Sequence, residues 1–340
     1  MQEYLWGKTY MLDEELQKIR PLLKVAIDYQ RLIDENFMIP YSYWMDKQGK
    51  LYIKWNLYDK QADKPVCRYW FEENGELVNE EITSKPNKQE LLRGKNKDSS
   101  VVLITGDTHG VFNRIKFFCS MFQTTKDDIL IILGDAGINY SLGDRDRLLK
   151  ENLAKLPLTL FCIRGNHEQR PENIDTYKEV TWHGGKVYVE EAYPNLIFAK
   201  DGEIYDIGGK KTIVIGGAYS IDKWYRLKMN YKWFENEQIS EEEKSFVEKQ
   251  LEDNHWKIDV VLSHTLPYQY RPVDMFIKLD NEWTVDDTME RWLRDMEAKM
   301  TYEKWYAGHF HCDRKTDKLQ IMYRNVELFC KDVDLKFSME

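Results

Sequence analysis

The sequence predicts an α/β protein of layered architecture, preceded by a smaller α+β module. From Val101 onward, short runs of β-branched and aliphatic residues alternate with amphipathic segments, which is typical of folds that alternate buried strands with helices. The first hundred residues lack this alternation. The chain has 340 residues, enough for one large domain or for two.

The smaller module is expected at residues 1–83. Its alternating apolar and polar residues at 51–58, together with a hairpin signal at Asn74-Gly75, predict a small antiparallel sheet of three strands beside helical sequence. The polar segment 84–100 has no clear periodicity and is predicted to be a linker. The α/β domain then occupies 101–340. The module is rich in aromatic residues, which favours a lid, docking or homo-oligomerisation role.

Five aliphatic runs in the α/β domain predict strands, and amphipathic segments between them predict helices. The strands are expected at 101–106, 129–133, 158–163, 259–264 and 305–311, and the helices at 112–122, 146–156 and 240–251.

Composition and charge disfavour several classes of protein. The net charge is −9 and no half of the chain is strongly basic, so binding of nucleic acid through a generic basic face has little support. No run of about 18 apolar residues predicts a membrane span. The five cysteines are scattered without a CxxC motif, so we expect a reduced, cytoplasmic setting and no thiolate metal site.

Ligand-type side chains follow each of the five predicted strands. Because ligands of α/β sheets bind beyond the carboxyl ends of the strands, these side chains are expected to converge on one edge. They offer carboxylate, imidazole and amide groups without sulfur, a set that suits divalent Mn, Fe or Zn. Two such ions bridged by one carboxylate are the usual device for phosphoester hydrolysis. The residues are Asp107, His109, Asp135, Asn166, His167, His264, His309 and His311.

The series GDTHG, GDAG, RGNHE, SHT and GHFH, within 101–311, resembles the calcineurin-like metallophosphoesterase superfamily. The resemblance implies a four-layer α/β/β/α sandwich of two mixed sheets between helices. It also implies two divalent metal ions, Mn in preference to Fe, Zn or Ni. The family pattern assigns Asp107, His109 and His311 to one ion, Asn166, His264 and His309 to the other, and Asp135 to both as the bridge.

The resemblance further implies a reaction. A hydroxide bridging the two ions attacks phosphorus in line, and His167 donates a proton to the leaving oxygen or stabilises the transition state. Arg164, in RGNHE, is expected to grip the phosphate through its planar fork. The acid and arginine that the protein phosphatase branch carries after its bridging Asp are replaced here by Ile138 and Asn139, which disfavours protein dephosphorylation.

Two loops are candidates for choosing the substrate. The segments 168–177 and 218–238 are dense in arginine, tyrosine and tryptophan, and aromatic faces beside cations suit a nucleobase and its phosphate. The predicted substrate-binding residues are Asn139, Tyr140, Arg170 and Arg226.

The sequence therefore favours a phosphodiesterase or phosphatase acting on a phosphorylated small molecule or nucleotide. Three alternatives stay open at this stage: a nuclease or end-processing phosphatase acting on DNA or RNA, a protein phosphatase, and a non-catalytic scaffold.

Overall fold

The computed structural model describes residues 100–275 and 285–330, together with the backbone of five strands nearer the N-terminus. The chain divides into two compact units, one within Met1–Lys97 and one within Asp98–Phe337. The predicted linker lies almost wholly outside the described residues. No helix in the described part of the chain is long and apolar enough to cross a membrane.

The N-terminal unit contains a five-stranded antiparallel sheet in the order β1-β2-β3-β4-β5. The three strands predicted from alternation are β3, β4 and β5. The two additional strands are short, and a strand of four or five residues leaves too little periodicity to be recognised. The strands are β1 (Gln2–Leu5), β2 (Tyr41–Met45), β3 (Leu51–Asp59), β4 (Lys64–Glu72) and β5 (Leu77–Ile82).

The second unit contains two mixed sheets, and the larger has seven strands in the order β18-β6-β7-β8-β11-β10-β9. Its central strands β6, β7, β8 and β11 are parallel, and the strands at both edges are antiparallel to their neighbours. The strands are β6 (Val102–Thr105), β7 (Ile129–Ile132), β8 (Thr159–Cys162), β9 (Tyr177–Trp182), β10 (Gly185–Glu190), β11 (Leu196–Ala199) and β18 (Glu327–Leu328).

A six-stranded mixed sheet follows, in the order β12-β13-β14-β15-β17-β16. Strands β13, β14, β15 and β17 are parallel, with β12 and β16 antiparallel at the edges. The strands are β12 (Ile204–Ile207), β13 (Lys210–Ile215), β14 (Val260–Ser263), β15 (Lys304–Ala307), β16 (Arg314–Lys315) and β17 (Leu319–Ile321).

Five α-helices are described in this unit, and three of them fall where amphipathic spacing predicts. The third of these, α4, begins at the capping box of Ser240 and Glu243, in which each side chain accepts the other residue's backbone N–H. The helices are α1 (Asn113–Phe122), α2 (Asp144–Leu153), α3 (Lys223–Lys228), α4 (Glu241–Asp253) and α5 (Thr288–Glu297).

The core lies between the two sheets. Inward-facing residues such as Ile131 and Phe161 of the first sheet pack in one buried cluster with Val214 and Leu262 of the second. A second cluster joins the other face of the six-stranded sheet to α4 and α5, where Leu293 is fully buried. Helices α1 and α2 connect β6 to β7 and β7 to β8. The predicted α/β sandwich of two mixed sheets is confirmed.

Candidate metal centre

The predicted ligands follow strands of both sheets, at the edge where the parallel strands end. The two sheets meet there, because His264 after β14 contacts the Leu133 carbonyl after β7 (Nδ1–O 2.7 Å). In the same way, the backbone N–H of His309 after β15 donates to Asp107 Oδ1 after β6 (2.9 Å). The strand ends contribute Asp107 and His109 (β6), Asp135 (β7), Asn166 and His167 (β8), His264 (β14), and His309 and His311 (β15).

One cluster is formed by Asp107, His109 and His311. Asp107 Oδ2 lies 3.3 Å from His311 Nε2 and 3.7 Å from His109 Nε2, and the two imidazole nitrogens are 2.9 Å apart. These three donor atoms are close enough together to hold a metal ion. The residues are separated by as many as 204 positions in sequence, so only the sheet topology brings them together.

A second cluster adjoins the first and contains Asp107, Asp135 and His264. Asp135 Oδ2 lies 3.7 Å from His264 Nε2, which lies 2.8 Å from Asn166 Oδ1. The His309 ring is 5.0 Å from the His264 ring. The structure thus brings together all seven residues predicted as metal ligands.

Hydrogen bonds from neighbouring loops orient these donor atoms. Asp107 and Asp135 each use Oδ1 to accept a backbone N–H, from His309 and His167 respectively, at 2.9 Å. The other oxygen of each carboxylate therefore points to the centre, and Asp107 Oδ2 has no hydrogen-bond donor of good geometry among the described residues. An orphaned, buried carboxylate oxygen is costly unless a cation satisfies it.

Hydrogen bonds also orient the side chains of His264 and Asn166. His264 contacts a carbonyl oxygen through Nδ1, so Nδ1 carries a proton, and in the neutral ring that can ligate a metal Nε2 is the acceptor. Asn166 donates through Nδ2 to Ser220 Oγ (2.8 Å), so its Oδ1 faces His264 Nε2. Two acceptors that face each other repel unless a cation lies against both. This donor set fits a divalent metal ion.

Two glycines make this close approach feasible. A Cβ at Gly134 would lie 2.1 Å from His264 Nδ1, and Gly134 also has φ +97°, which only glycine adopts readily. A Cβ at Gly165 would lie 2.0 Å from Asp135 Oδ1. The glycines of GDAG and RGNHE are therefore required by the approach of one ligand loop to another.

The pKa shifts of Asp107, Asp135 and His309 favour metal binding, whereas that of His311 opposes it. Burial alone would raise the pKa of Asp107 and Asp135, but the neighbouring imidazoles lower both below the ordinary value. Burial and the proximity of His264 lower the pKa of His309 to about 3, so its ring is neutral near pH 7. For His311, burial would lower the pKa, but contact with Asp107 raises it.

His167 and Arg226 meet beside the second cluster. Arg226 Nη2 lies 3.3 Å from His167 Nε2, and the His167 ring lies 3.9 Å from Asp135 Oδ2. Arg226 is held by Asp222 (Nε–Oδ2 2.8 Å) and lies 3.5 Å from the Tyr140 hydroxyl. Burial, followed by the Arg226 charge, lowers the pKa of His167, against a raising effect of Asp135. The predictions that Arg226 and Tyr140 lie at the site are consistent with this geometry.

The position of Arg164 contradicts its predicted role. Its guanidinium is buried, with 3% of the side chain exposed, and donates to Asp201 Oδ2 (2.9 and 3.1 Å) and to the Glu237 carbonyl (2.9 Å). The cavity of about 280 Å³ beside it is also lined by Asp201, Glu242 and Glu243, an acidic surface unsuited to phosphate. Arg164 therefore stabilises the loops behind the site and does not grip the phosphate.

Two predicted substrate-binding residues are also corrected. Arg170 is buried and donates to Glu243 and to the carbonyls of Asn236 and Gln238, so its guanidinium joins loops instead of facing a ligand. Asn139 is fully buried and accepts the Tyr177 hydroxyl (3.1 Å), so it does not line an open wall.

Three residues at the site were not predicted. Ser220 orients Asn166, as described above. Glu168 accepts the backbone N–H groups of Gly137 and Gly165, and burial and the nearby Asp135 raise its pKa to about 8. Tyr323 stacks on His311 with ring centroids 4.7 Å apart. Glu168 follows the RGNH motif and could have been flagged there, whereas Ser220 and Tyr323 have no local sequence signal.

The fold and the site together define a metal-binding α/β sandwich whose centre lies at the edge shared by two sheets. A family model described as calcineurin-like phosphoesterase matches residues 100–313, more than half of the chain. The chain belongs to this family. It is therefore a hydrolase that acts on phosphoester bonds and depends on metal. A comparison with curated proteins finds no match.

Proposed function

We propose that the protein hydrolyses a phosphoester of a nucleotide-type substrate at a centre of two divalent ions, with Mn favoured over Fe, Zn or Ni. The observation that supports this best is the pair of adjoining clusters, which share a buried carboxylate and face the Arg226–His167 contact. The buried free thiols of Cys119, Cys162 and Cys312 fit a reduced, cytoplasmic setting.

The ligands divide between two ions. By the family pattern, Asp107, His109 and His311 would hold one ion, and Asn166, His264 and His309 would hold the other. Asp135 would contribute to both ions: its Oδ1 is anchored by a backbone N–H, and its Oδ2 lies 3.7 Å from His264 Nε2, in the group that also contains Asp107. Bound divalent ions supply Lewis-acid activation of water and neutralise the charge on phosphate oxygens.

Arg226, already predicted from the sequence as a substrate-binding residue, takes the phosphate-binding role that was also expected of Arg164. Its contact with His167 Nε2 requires a lone pair on that nitrogen, so the neutral ring carries its proton on Nδ1. A phosphate oxygen against the guanidinium competes for this donor and frees the Nε2 lone pair, which can then take up a proton from water. The His167 imidazolium gives this Nε2 proton to the leaving oxygen, while Arg226 holds the phosphate by a charge-assisted hydrogen bond.

The experiment starts from metal-stripped full-length protein. It is reconstituted separately with Mn, Fe, Zn and Ni and assayed on p-nitrophenyl phosphate, bis-p-nitrophenyl phosphate and a nucleotide panel. We expect hydrolysis with at least one metal and two ions per chain by elemental analysis, and loss of both in Asp135→Asn. Failure to hydrolyse any substrate with every metal would refute the proposal, and a single ion per chain would refute the dinuclear centre.

A further inference from the structure

A surface segment beside the metal centre combines exposed aromatic rings with positive charge. We call residues 221–232, with the sequence IDKWYRLKMNYK, the aromatic-basic segment; it includes α3. It carries four lysine or arginine residues and one aspartate, in a chain whose net charge is −9. The side chains of Trp224, Tyr225 and Tyr231 are 55%, 50% and 52% exposed, and α3 buries none of its residues.

The aromatic rings of this segment are exposed even though other side chains of the segment hold it against the site. Arg226 contacts His167, Lys232 donates to the Ser141 carbonyl (2.6 Å), and Lys223 lies over the Trp233 ring (4.1 Å). The segment is therefore held beside the centre while its aromatic rings face solvent. Two of these rings, Tyr225 and Tyr231, also lie against each other, with centroids 6.0 Å apart, and clustered exposed aromatic surface beside a site marks a candidate binding surface.

A cation and an aromatic ring also adjoin the first ligand cluster. Tyr323 stacks on His311, and the Arg324 guanidinium lies 5.2 Å from the centre of the Tyr323 ring. Arg226 adjoins the second cluster through His167. A substrate that crosses the centre would thus meet an arginine and a tyrosine at each cluster, Arg324 with Tyr323 at the first and Arg226 with Tyr140 at the second, which suits a ligand with several phosphates and several bases.

We propose that the aromatic-basic segment binds single-stranded nucleic acid and presents its backbone phosphate to the metal centre. Surfaces that bind single strands combine cations along the phosphates with aromatic rings on which bases stack, and this segment supplies both. The inference rests on the proposed function, whose substrate class it narrows to phosphodiesters of DNA or RNA. In the reaction, the hydroxyl of water bonds to phosphorus, the bond from phosphorus to one ester oxygen breaks, and the second hydrogen of water goes to that oxygen.

Binding is measured without catalysis, so that the two proposals can fail separately. Fluorescein-labelled dT12 and U12 are titrated with the full chain in EDTA, and anisotropy is followed between low and moderate salt. Trp224→Ala and Tyr231→Ala should each weaken binding by roughly 5- to 100-fold, because each removes one stacking surface. Lys228→Gln should reduce the slope of log affinity against log salt by about 0.7, the loss of one phosphate contact.

Matched controls carry the same substitutions elsewhere. Lys249→Gln changes an exposed lysine on α4, and Tyr193→Ala removes a partly buried tyrosine between β10 and β11; neither should alter binding or the hydrolysis of bis-p-nitrophenyl phosphate. Near-ultraviolet circular dichroism checks that every variant is folded.

The outcomes separate the alternatives. Hydrolysis of bis-p-nitrophenyl phosphate without oligonucleotide binding overturns this inference and leaves the proposed function intact. Oligonucleotide binding that Trp224→Ala and Tyr231→Ala weaken, without hydrolysis of any phosphoester, supports the surface and refutes the proposed function. Binding that these variants leave unchanged, or equal affinity for a 12-bp duplex, overturns the inference. Self-association that Trp224→Ala abolishes, in a chain that binds no oligonucleotide, identifies the segment as an interface between copies and also overturns it.

Discussion

Replacement of Arg226 by alanine should impair catalysis far more than stability. In the structure its guanidinium contacts His167 Nε2 at 3.3 Å and is held in place by Asp222, while Tyr140 lies at its edge. The arginine is thus pre-positioned where negative charge on a phosphate would develop. Because it is the guanidinium that adjoins His167, it is the strongest candidate among the described residues for a phosphate-binding cation.

The expected magnitudes follow from these contacts. Removal of one pre-positioned donor to developing negative charge lowers kcat by about 10²- to 10³-fold, or roughly 3 to 4 kcal/mol. The Arg226–Asp222 ion pair spans four residues at a partly exposed position, and such pairs contribute about 0.5 kcal/mol to stability. Arg226→Ala should therefore leave the urea midpoint nearly unchanged.

The assay compares kcat and KM for Arg226→Ala, Arg226→Lys and Arg291→Ala on bis-p-nitrophenyl phosphate with saturating Mn. Arg291 is the matched control, because it makes the same four-residue ion pair, with Asp287, on α5. Arg226→Lys should retain part of the activity, since it keeps the charge and loses the planar fork. Wild-type kcat/KM in Arg226→Ala, or an equal loss in Arg291→Ala, would refute the assignment.

Three further predictions concern the structure around the site. Arg164→Ala should lower the free energy of unfolding by about 3 to 5 kcal/mol in urea denaturation, since it leaves buried Asp201 unpaired; a fall in kcat/KM without this loss would contradict the structural role. Ser220→Ala should weaken metal binding by roughly 10- to 100-fold in calorimetric titration, because Asn166 loses its anchor, and unchanged affinity would refute that role. Burial raises the pKa of Glu290, so the folded protein loses stability relative to the unfolded chain as pH rises above 4.5. In thermal melts, Glu290→Gln should be more stable than wild type by about 1 kcal/mol at pH 7 and equal to it near pH 4. A difference that does not change with pH would contradict this.

The parts of the site that were predictable share one property: their signal is local in the sequence. Each predicted ligand follows an aliphatic run, so the strand and the ligand can be recognised within the same ten residues. Because the strands are parallel, their carboxyl ends lie at one edge and bring the ligands together. The start of α4 was predicted at residue 240 from amphipathic spacing, and the capping box that the structure shows at Ser240 and Glu243 is an equally local feature. The glycines before Asp135 and Asn166 belong to the same short motifs.

The parts that could not be predicted depend on partners distant in the chain. Arg164 has the residue type and motif position of a phosphate ligand, but Asp201, 37 residues later, takes its guanidinium instead. Arg226 was predicted to bind substrate from its residue type and its aromatic surroundings, but its contact with His167, 59 residues away, has no local signal in the sequence. No local pattern distinguishes the two arginines, because the difference lies in which acceptor each meets after folding.

Backbone strain at the site reinforces the conclusion that it is built for a ligand. Four of the seven predicted metal ligands have positive φ, between 46° and 67°: His109, Asp135, His309 and His311. Such a conformation costs about 1 to 2 kcal/mol per residue, and hydrogen bonds between loops offset it, as where His109 N donates to the Asp135 carbonyl (2.8 Å). Because the chain's own hydrogen bonds already hold these loops, the donor atoms are in position before an ion binds. Little of the binding free energy is then spent on ordering the loops, and ion binding should raise the free energy of unfolding by nearly its full amount.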